Sequence, residues 1–398
     1  MLGVEGYMSA RENQDAREVT AKIAEGYDLV PYNPNGTGSP GLDPSHLFGV
    51  AALYGEFPGR GDIDVLDLGC GGGGQILRAA AQTTGRLVGL DISGAACAEA
   101  AGRCAALGSR CKILHADLLD LDVASIGTFD LIYLVGVYYV VPAAVQKLLV
   151  DAIAVCLSPG GVLMISYYSS PIWRSIDALR LSIHGAIDLT APPAERIRAA
   201  RRHVESIVEN GKSDISAQIT THALTCDEPT FFHEMLGPVL APVSTVALEE
   251  TLGAAGIHFL NWIFPGPFAQ VATPLARAQG ADRMAGGGYH YAVFAKNAGV
   301  GGADASWNNV QWQTRLRRAG ASQFGLAVFA DPASGQGLEV ANSATGRVLD
   351  MLAAGPRPWP WVYEEMAKQP SGTAYATAVK RDFLTLWQQG VVTPLWAV

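Results

Sequence analysis

A glycine-rich turn is the part of this sequence best suited to chemistry. Residues 65–73 read Val-Leu-Asp-Leu-Gly-Cys-Gly-Gly-Gly, so an apolar strand pattern runs directly into glycines and then into a helical pattern. Gly69 and Gly71 permit a tight turn and let a ligand approach the backbone. The free N–H groups at the start of the following helix favour a carboxylate, and Asp67 is suited to holding an ammonium group or orienting the turn. The alternative interpretation is a turn that serves only packing.

Two acidic residues follow at the ends of predicted strands. Asp91 lies about 20 residues beyond the turn, where an acidic side chain accepts hydrogen bonds from both hydroxyls of a ribose. Asp117 follows the next strand and is suited to accept a hydrogen bond from an adenine amino group. Taken singly, each is typical of a solvated acid at a strand end. Because the carboxyl ends of parallel strands meet at one edge of a sheet, the set predicts an adenosine-shaped site there.

The elements that must position these residues alternate between strands and helices. Short apolar runs predict five strands separated by helical stretches, at 64–68, 86–91, 111–116, 129–135 and 162–167. Two further strands at 257–264 and 289–296, joined by a long loop, are expected to complete the sheet. This alternation predicts a parallel sheet covered by helices on both faces.

The sequence divides into four predicted segments. Residues 1–60 are expected to form an N-terminal helix and a lid segment, and 61–170 together with 244–297 the α/β domain. Apolar residues recur at helical spacing within 171–243, which predicts a helical insertion that covers the substrate. Residues 303–398 follow a glycine-rich linker and hold six of the eight tryptophans, which favours a separate compact module.

Composition excludes several classes of protein. Of the 398 residues, 49% are hydrophobic and 16% charged, which excludes a largely disordered chain, and the net charge of −9 argues against nucleic-acid binding. The longest apolar run is too short for the roughly 20 residues of a membrane span, and no signal peptide is recognised. The six cysteines form no CxxC pair, so we expect no metal and a reduced, soluble, cytoplasmic protein.

The motifs together resemble class I S-adenosylmethionine-dependent methyltransferases. Residues 67–73 are similar to the first motif of that family, Leu90-Asp91 to its ribose-binding acid, and 116–118 to its adenine-side acid. The resemblance implies a Rossmann-like, seven-stranded methyltransferase sheet and S-adenosyl-L-methionine as cofactor. A nicotinamide dinucleotide is the rejected alternative, because its site prefers GxGxxG. The implied cofactor-binding residues are Tyr27, Tyr32, Asp67, Gly69, Cys70, Gly71, Asp91, Ile92, Asp117, Leu118 and Gly136.

A narrower resemblance concerns bacterial methyltransferases that carry a methyltransferase regulatory domain. It rests on Tyr-Asp-Leu-Val-Pro-Tyr at 27–32, on Gly-Val-Tyr at 136–138, and on the segments 166–167, 171–173 and 232–236. That group includes lysine methyltransferases acting on outer-membrane proteins, alongside many members without an assigned substrate. Val135, the pair at 139–140 and Tyr168 stand where the group usually has His, Ser-Trp and Asn, so we expect a different acceptor pocket.

The catalytic candidates are Tyr138, His233 and Glu234. Successive strand residues point to opposite faces, and we expect Tyr138 to face the pocket and Tyr139 the core. His233 and Glu234 are candidates for a base pair in the insertion, although a lone histidine is more often structural. Tyr27 and Tyr32 are expected to close over the cofactor as a lid, the alternative being plain packing.

The C-terminal residues predict a strand at 338–342 and helices at 344–352, 360–367 and 374–389, with a closing wing from 390. This order resembles a winged helix of the kind that binds leader peptides, giving a winged-helix-like α+β module. The competing interpretation is a dimerisation module, which makes a homodimer one of the expected partners. The function hypotheses are methylation of a peptide or protein side chain, methylation of a small natural product, and a silent cofactor-binding regulator.

Overall fold

A seven-stranded sheet forms the centre of the computed structural model, which describes residues 10–32, 44–55, 61–170, 172–210, 215–263, 273–284, 289–296, 310–314, 316–321, 327–330, 337–340, 343–367, 383–387 and 392–396. Its strand order is β3-β2-β1-β4-β5-β7-β6. Only β7 runs antiparallel to its neighbours in this sheet. The strands are β1 (Val65–Leu68), β2 (Leu87–Asp91), β3 (Cys111–His115), β4 (Phe129–Leu134), β5 (Leu157–Tyr168), β6 (Ile257–Trp262) and β7 (Tyr289–Lys296). The expected Rossmann-like methyltransferase sheet is confirmed.

Both faces of the sheet are buried, as the continuous apolar runs predict. Val65, Leu131 and Val162 belong to one apolar cluster, whereas the next residue along each strand, Leu66, Ile132 and Leu163, belongs to a second cluster on the opposite face. This alternation follows from the two-residue period of a strand. The sheet therefore presents its carboxyl edge, and not a face, to a ligand.

Helices cover the two faces and the carboxyl edge. They are α1 (Ala10–Leu29), α2 (Pro44–Tyr54), α3 (Gly74–Ala80), α4 (Gly94–Cys104), α5 (Ala143–Cys156), α10 (Thr245–Gly253) and α11 (Pro274–Met284). Two of them, α2 and α11, replace segments that we interpreted as loops. Residues 48–53 of helix α2 carry no polar side chain, so this part lacks the one-sided pattern by which a surface helix is recognised.

Helices predominate among the described residues of the segment 172–243, where a helical insertion is predicted. Its helices are α6 (Ile176–Ala186), α7 (Pro193–Asn210), α8 (Ala217–Thr225) and α9 (Glu228–Phe231), followed by a π-helical turn, Phe232–Leu236. The insertion has an apolar core of its own, built on the recurring residues Leu179, Ile183, Ile197 and Val204. Tyr139, Tyr168 and Trp173 join this core to the sheet.

The C-terminal residues add two small antiparallel sheets. β9 (Arg317–Ala321), β10 (Ala327–Ala330) and β11 (Gly337–Val340) form one, and β8 (Val310–Gln313), β12 (Arg357–Pro358) and β13 (Thr393–Trp396) the other, beside α12 (Ser343–Ala354) and α13 (Trp359–Ala367). β11 and the two helices lie where a strand at 338–342 and the first two helices are predicted, although 341–342 lie outside the described residues. The third helix is described only at 383–387, and the linker and the start of the wing lie outside the described residues. A winged helix stays a prediction.

The C-terminal residues share one core with the central sheet. Phe329, Val348 and Trp387 belong to the same buried cluster as Val65 and the apolar residues of α2. Helix α2 lies between the central sheet and β13. Independent folding of 303–398 stays a prediction. Among the described residues, no helix is long and apolar enough to cross a membrane.

Candidate active site

The glycine turn joins β1 to α3 at the carboxyl edge of the sheet. The N–H groups of Gly69 and Cys70 donate to the carbonyl of Leu90, at 2.7 and 3.0 Å, which ties the turn to the end of β2. Gly69 has a φ of 81°, and a Cβ built there would lie 2.1 Å from Cγ2 of Val137. Gly71 also has a positive φ, but a Cβ there would meet nothing within 4 Å. The turn is therefore packed tightly against Val137 at Gly69, whereas the space beside Gly71 is open.

Asp91 ends β2 directly beside this turn. Its Oδ2 accepts a hydrogen bond from the Gly71 N–H at 2.7 Å, and its Oδ1 accepts one from the Ser93 N–H at 2.9 Å. Burial raises the pKa of Asp91, while these backbone hydrogen bonds oppose the rise. Each carboxylate oxygen has a second acceptor position. Asp91 is thus held in place with the capacity to bind a diol.

Helix α1 crosses the carboxyl edge and is tied to it by three polar contacts. Thr20 Oγ1 donates to Oδ2 of Asp117 at 3.0 Å, whose Oδ1 also accepts from a backbone N–H. Arg17 makes a two-pronged ion pair with Asp120, at 3.0 and 2.7 Å. Near the other end of the helix, Ser93 Oγ donates to Asp28 at 2.6 Å. The acid expected at the adenine side is therefore also an anchor for the helix that covers the site.

The end of α1 brings an aromatic cluster over the cleft. The ring of His233, from the insertion, stacks on Tyr27 with centroids 4.0 Å apart and planes at 14°, and lies 5.1 Å from the ring of Tyr32. Its Nε2 is 2.7 Å from the carbonyl of Val30. A carbonyl oxygen only accepts, so Nε2 donates this hydrogen bond, and burial lowers the pKa of His233. His233 therefore fastens the lid segment to the insertion.

These elements enclose one cavity of about 880 Å³. It runs from the glycine turn beneath α1 and on under the insertion, where α8 and the turn after α9 line it. All the expected cofactor-binding residues except Asp67 line it: Tyr27, Tyr32, Gly69, Cys70, Gly71, Asp91, Ile92, Asp117, Leu118 and Gly136. The fold thus brings together residues that are up to 109 positions apart in the sequence.

Asp67 lies beneath the turn and is almost fully buried. Its Oδ2 has no hydrogen-bond partner among the described residues. Burial, and then the nearby charge of Asp91, raise the pKa of Asp67 to about 7. An unpaired buried carboxyl oxygen is costly, and a cationic ligand group nearby would lower that cost.

The two adjacent tyrosines are placed the opposite way from our prediction. Tyr139 lines the cavity and packs edge-on against Tyr168, with ring centroids 4.9 Å apart. Tyr138 is not among the lining residues and belongs to the core cluster on the face of the sheet that includes Leu66. The reason is that Tyr138–Val140 form a short 3-10 turn, so the alternation of a strand does not apply. The structure does not support Tyr138 as the pocket residue.

The predicted pair of His233 and Glu234 is also separated. Consecutive residues of a helical turn point in directions about 100° apart, and only Glu234 lines the cavity. The partner of Glu234 is His222 of α8, whose Nε2 lies 2.7 Å from Oε2. Tyr168 donates from its hydroxyl to the other oxygen, Oε1, at 2.6 Å. Sequence reasoning missed His222, since the residue 12 positions before Glu234 carries no local signal of this contact.

Residues 65–161 match a protein-family model described as a methyltransferase domain. The match includes the glycine turn, Asp91 and Asp117. Together with the Rossmann-like sheet, this match supports a class I S-adenosylmethionine-dependent methyltransferase domain. Among the described residues, this domain contains no group of three or more His, Cys, Asp or Glu side chains that could hold a metal ion.

The chain is similar to proteins from two rickettsiae. Uncharacterized proteins RP789 and RP028 of Rickettsia prowazekii (strain Madrid E) are 32% identical over 157 residues and 31% identical over 166. These matches cover 39% and 40% of this chain but only 28% and 64% of the relatives, so the chain spans less than two thirds of either. The structure of PKMT2 from Rickettsia typhi in complex with AdoHcy is 18% identical, with a TM-score of 0.71, over 92% of this chain and 77% of that one. At that identity the likeness shows a shared fold.

Proposed function

We propose that the protein transfers a methyl group from S-adenosylmethionine to a nitrogen or oxygen of a peptide or protein side chain. The single observation that carries the proposal is that the glycine turn, Asp91 and Asp117 converge on one cavity at the carboxyl edge of the sheet. When bound, the cofactor supplies a sulfonium methyl group, whose carbon–sulfur bond breaks as a nucleophile attacks and leaves S-adenosylhomocysteine. The protein's part is to align the two partners and to exclude water.

The residues present fit this cofactor. Asp91 is suited to the ribose hydroxyls and Asp117 to the adenine amino group, while Ile92 and Leu118 follow these acids and line the cavity with them. The open side of Gly71 leaves room for the amino-acid part of the cofactor. The unpaired oxygen of buried Asp67 favours a positively charged ligand group. These features support a cofactor that is both a nucleoside and a cation.

Two observations bear on the acceptor. The sequence resembles a group of bacterial methyltransferases that includes lysine methyltransferases, which supports a peptide or protein side chain. The cavity also continues beneath the insertion, past Gln218 and Thr221, which favours a small molecule as the second candidate. A homodimer, and an insertion that covers the substrate, stay predictions.

The direct test has two steps. Calorimetry with S-adenosylhomocysteine measures binding, and intact-mass spectrometry of peptides and small molecules incubated with S-adenosylmethionine detects products heavier by 14 Da. We expect binding and a methylated peptide. A methylated small molecule would select the second candidate, and binding without turnover across both panels would make the protein a silent regulator. Absence of binding would end the enzyme hypothesis.

The affinity for S-adenosylmethionine should rise as the pH increases through about 7. The raised pKa of Asp67 leaves this carboxyl partly protonated near pH 7, and a bound cation lowers the pKa. Binding must then release a proton, so it is stronger where the carboxyl is already ionised. Calorimetry in two buffers of different ionisation enthalpy measures this proton release. The release should disappear in Asp67→Asn; equal release in both proteins would show that another group is responsible.

Loosening the lid should weaken cofactor binding moderately. His233→Phe keeps an aromatic ring against Tyr27 but removes the hydrogen bond to the carbonyl of Val30. A hydrogen bond of this kind contributes about 0.5–1.5 kcal/mol, so we expect affinity for S-adenosylhomocysteine to fall roughly 3- to 10-fold. The matched control is His203→Gln, another histidine of the insertion that does not line the cavity. An unchanged affinity in His233→Phe would remove the lid assignment.

A further inference from the structure

The wall of the cavity formed by the insertion carries a polar pair that the cofactor does not require. Glu234 is almost fully buried and lines the cavity together with His222, about a quarter of whose side chain is exposed. The two side chains come from different elements, α8 and the π-helical turn. They meet at 2.7 Å between Nε2 and Oε2. Burying a carboxylate costs free energy, so the burial of Glu234 beside His222 points to a specific role for this pair.

The geometry defines which nitrogen of His222 remains basic. A carboxylate is only an acceptor, so Nε2 carries the proton and donates it to Glu234. An imidazole that carries its single proton on Nε2 keeps a lone pair on Nδ1. The second oxygen of Glu234 is occupied by the Tyr168 hydroxyl at 2.6 Å, which keeps the carboxylate from turning away.

Aromatic side chains hold the imidazole in this orientation. Trp173 meets the ring of His222 edge-on, with centroids 5.1 Å apart and planes at 82°, and Tyr168 lies at 6.0 Å and 71°. Trp173, Tyr168 and Tyr139 line the same cavity as His222. The result is a largely aromatic cavity wall that holds one imidazole against a buried carboxylate, an arrangement suited to a general base.

We propose that His222 is the general base of the reaction and that Glu234 is its positioning residue. This inference rests on the proposed function and names the chemical class of the acceptor: a nucleophile that must lose a proton, either an alkylammonium or a hydroxyl group. The proton passes from the acceptor to Nδ1 of His222 and later to solvent. The acceptor's freed electron pair forms the new bond to the methyl carbon, and the electrons of the broken carbon–sulfur bond remain on sulfur.

Other charged and titratable groups lie near the pair and have to be considered when its pH profile is interpreted. Asp227 lines the cavity, and Cys226 and Arg180 interact electrostatically with Glu234. The guanidinium of Arg180 donates to the carbonyl of Gly237, so its hydrogen bond goes to the backbone and not to the carboxylate. The competing explanation is that the pair only ties α8 to the following turn.

The first measurement needs no acceptor. Long-range nitrogen NMR of the full chain labelled with ¹⁵N-histidine reports which ring nitrogen is protonated, and the signals of His222 are those lost in His222→Gln. We expect a neutral ring at pH 7.5, protonated at Nε2 only. A ring protonated at Nδ1, or at both nitrogens, would overturn the proposal because Nδ1 would have no lone pair to accept the proton.

The second measurement separates a base from a structural tie. In His222→Gln, the amide N–H replaces Nε2–H as a donor to Glu234, so the carboxylate keeps a partner while the base is lost. The probe is methyl-labelled S-adenosylmethionine with an unfractionated bacterial lysate, which supplies proteins and small molecules together. We expect methyl incorporation to fall by about 100- to 10,000-fold with unchanged affinity for S-adenosylhomocysteine. His203→Gln should keep the wild-type rate.

The outcomes distinguish this inference from the proposed function. Turnover by His222→Gln within about threefold of the wild type would overturn the general base while leaving the methyltransferase intact. Wild-type protein that binds S-adenosylhomocysteine but incorporates no label would overturn both the base and the enzymatic function. Glu234→Gln should lower the rate as well, and its pH profile should differ from that of the wild type, which a purely structural tie would not change.

Discussion

Replacing Asp91 with alanine should weaken S-adenosylmethionine binding by about 100-fold or more. The carboxylate would lose two charge-assisted hydrogen bonds to the ribose, each contributing about 1.5–3 kcal/mol, and a factor of ten corresponds to about 1.4 kcal/mol. Alanine also leaves the N–H groups of Gly71 and Ser93 without their acceptor, which loosens the turn. Calorimetry measures the affinity, and thermal unfolding shows that the variant is folded.

Two further variants show whether a loss of affinity comes from the missing charge or from a disturbed fold. Asp91→Asn keeps the shape of the side chain and an acceptor oxygen, so it should retain stability but lose most of the affinity. Asp122→Ala changes an exposed acid outside the cavity and should bind like the wild type. If Asp91→Ala bound the cofactor with wild-type affinity, the ribose assignment would be wrong.

The second large effect is expected at Gly69. Its φ of 81° costs a residue with a side chain about 1–2 kcal/mol, and the new Cβ would lie 2.1 Å from Cγ2 of Val137. Gly69→Ala should therefore displace the turn, lower the free energy of unfolding by about 3 kcal/mol, and weaken cofactor binding at least 100-fold. Thermal unfolding and calorimetry measure the two effects.

Relieving the clash should recover part of the loss. In the double variant with Val137→Ala, the Cγ2 atom is gone and only the cost of the positive φ remains, so both effects should shrink but not vanish. Gly102→Ala is the matched control, because a Cβ there meets nothing within 4 Å in helix α4 and should raise stability by about 0.5–1 kcal/mol. Wild-type stability and affinity in Gly69→Ala would contradict the tight packing behind the turn.

The glycine turn and the two acids of the cofactor site were predictable because each of them stands at or next to a strand that the sequence itself indicates. The glycine turn follows directly from β1, and Asp91 and Asp117 stand at or just after the ends of β2 and β3. Once the strand pattern is recognised, parallel pairing places these residues at one edge.

The acceptor half was not predictable in the same way. His222 and Glu234 meet only because α8 packs beside the π-helical turn, and nothing in their spacing indicates that contact. We predicted that Tyr138 would face the cavity and Tyr139 the core, and the structure has the reverse. The reason is that Tyr138–Val140 form a 3-10 turn and do not continue the strand. Helix α2 was not predicted because its residues 48–53 are all buried, so they lack the polar face that gives a helix its periodic pattern.

The packing of α2 against β13 has a consequence for biosynthesis. Helix α2 is translated early. The strand that packs against it, β13, is translated more than 300 residues later. Until then the apolar surface of α2 lacks part of its cover, and contacts between segments so distant in the chain form slowly. We therefore expect the nascent protein to depend on chaperones, and changes near 393–396 to lower its yield in cells before they lower the activity of the molecules that do fold.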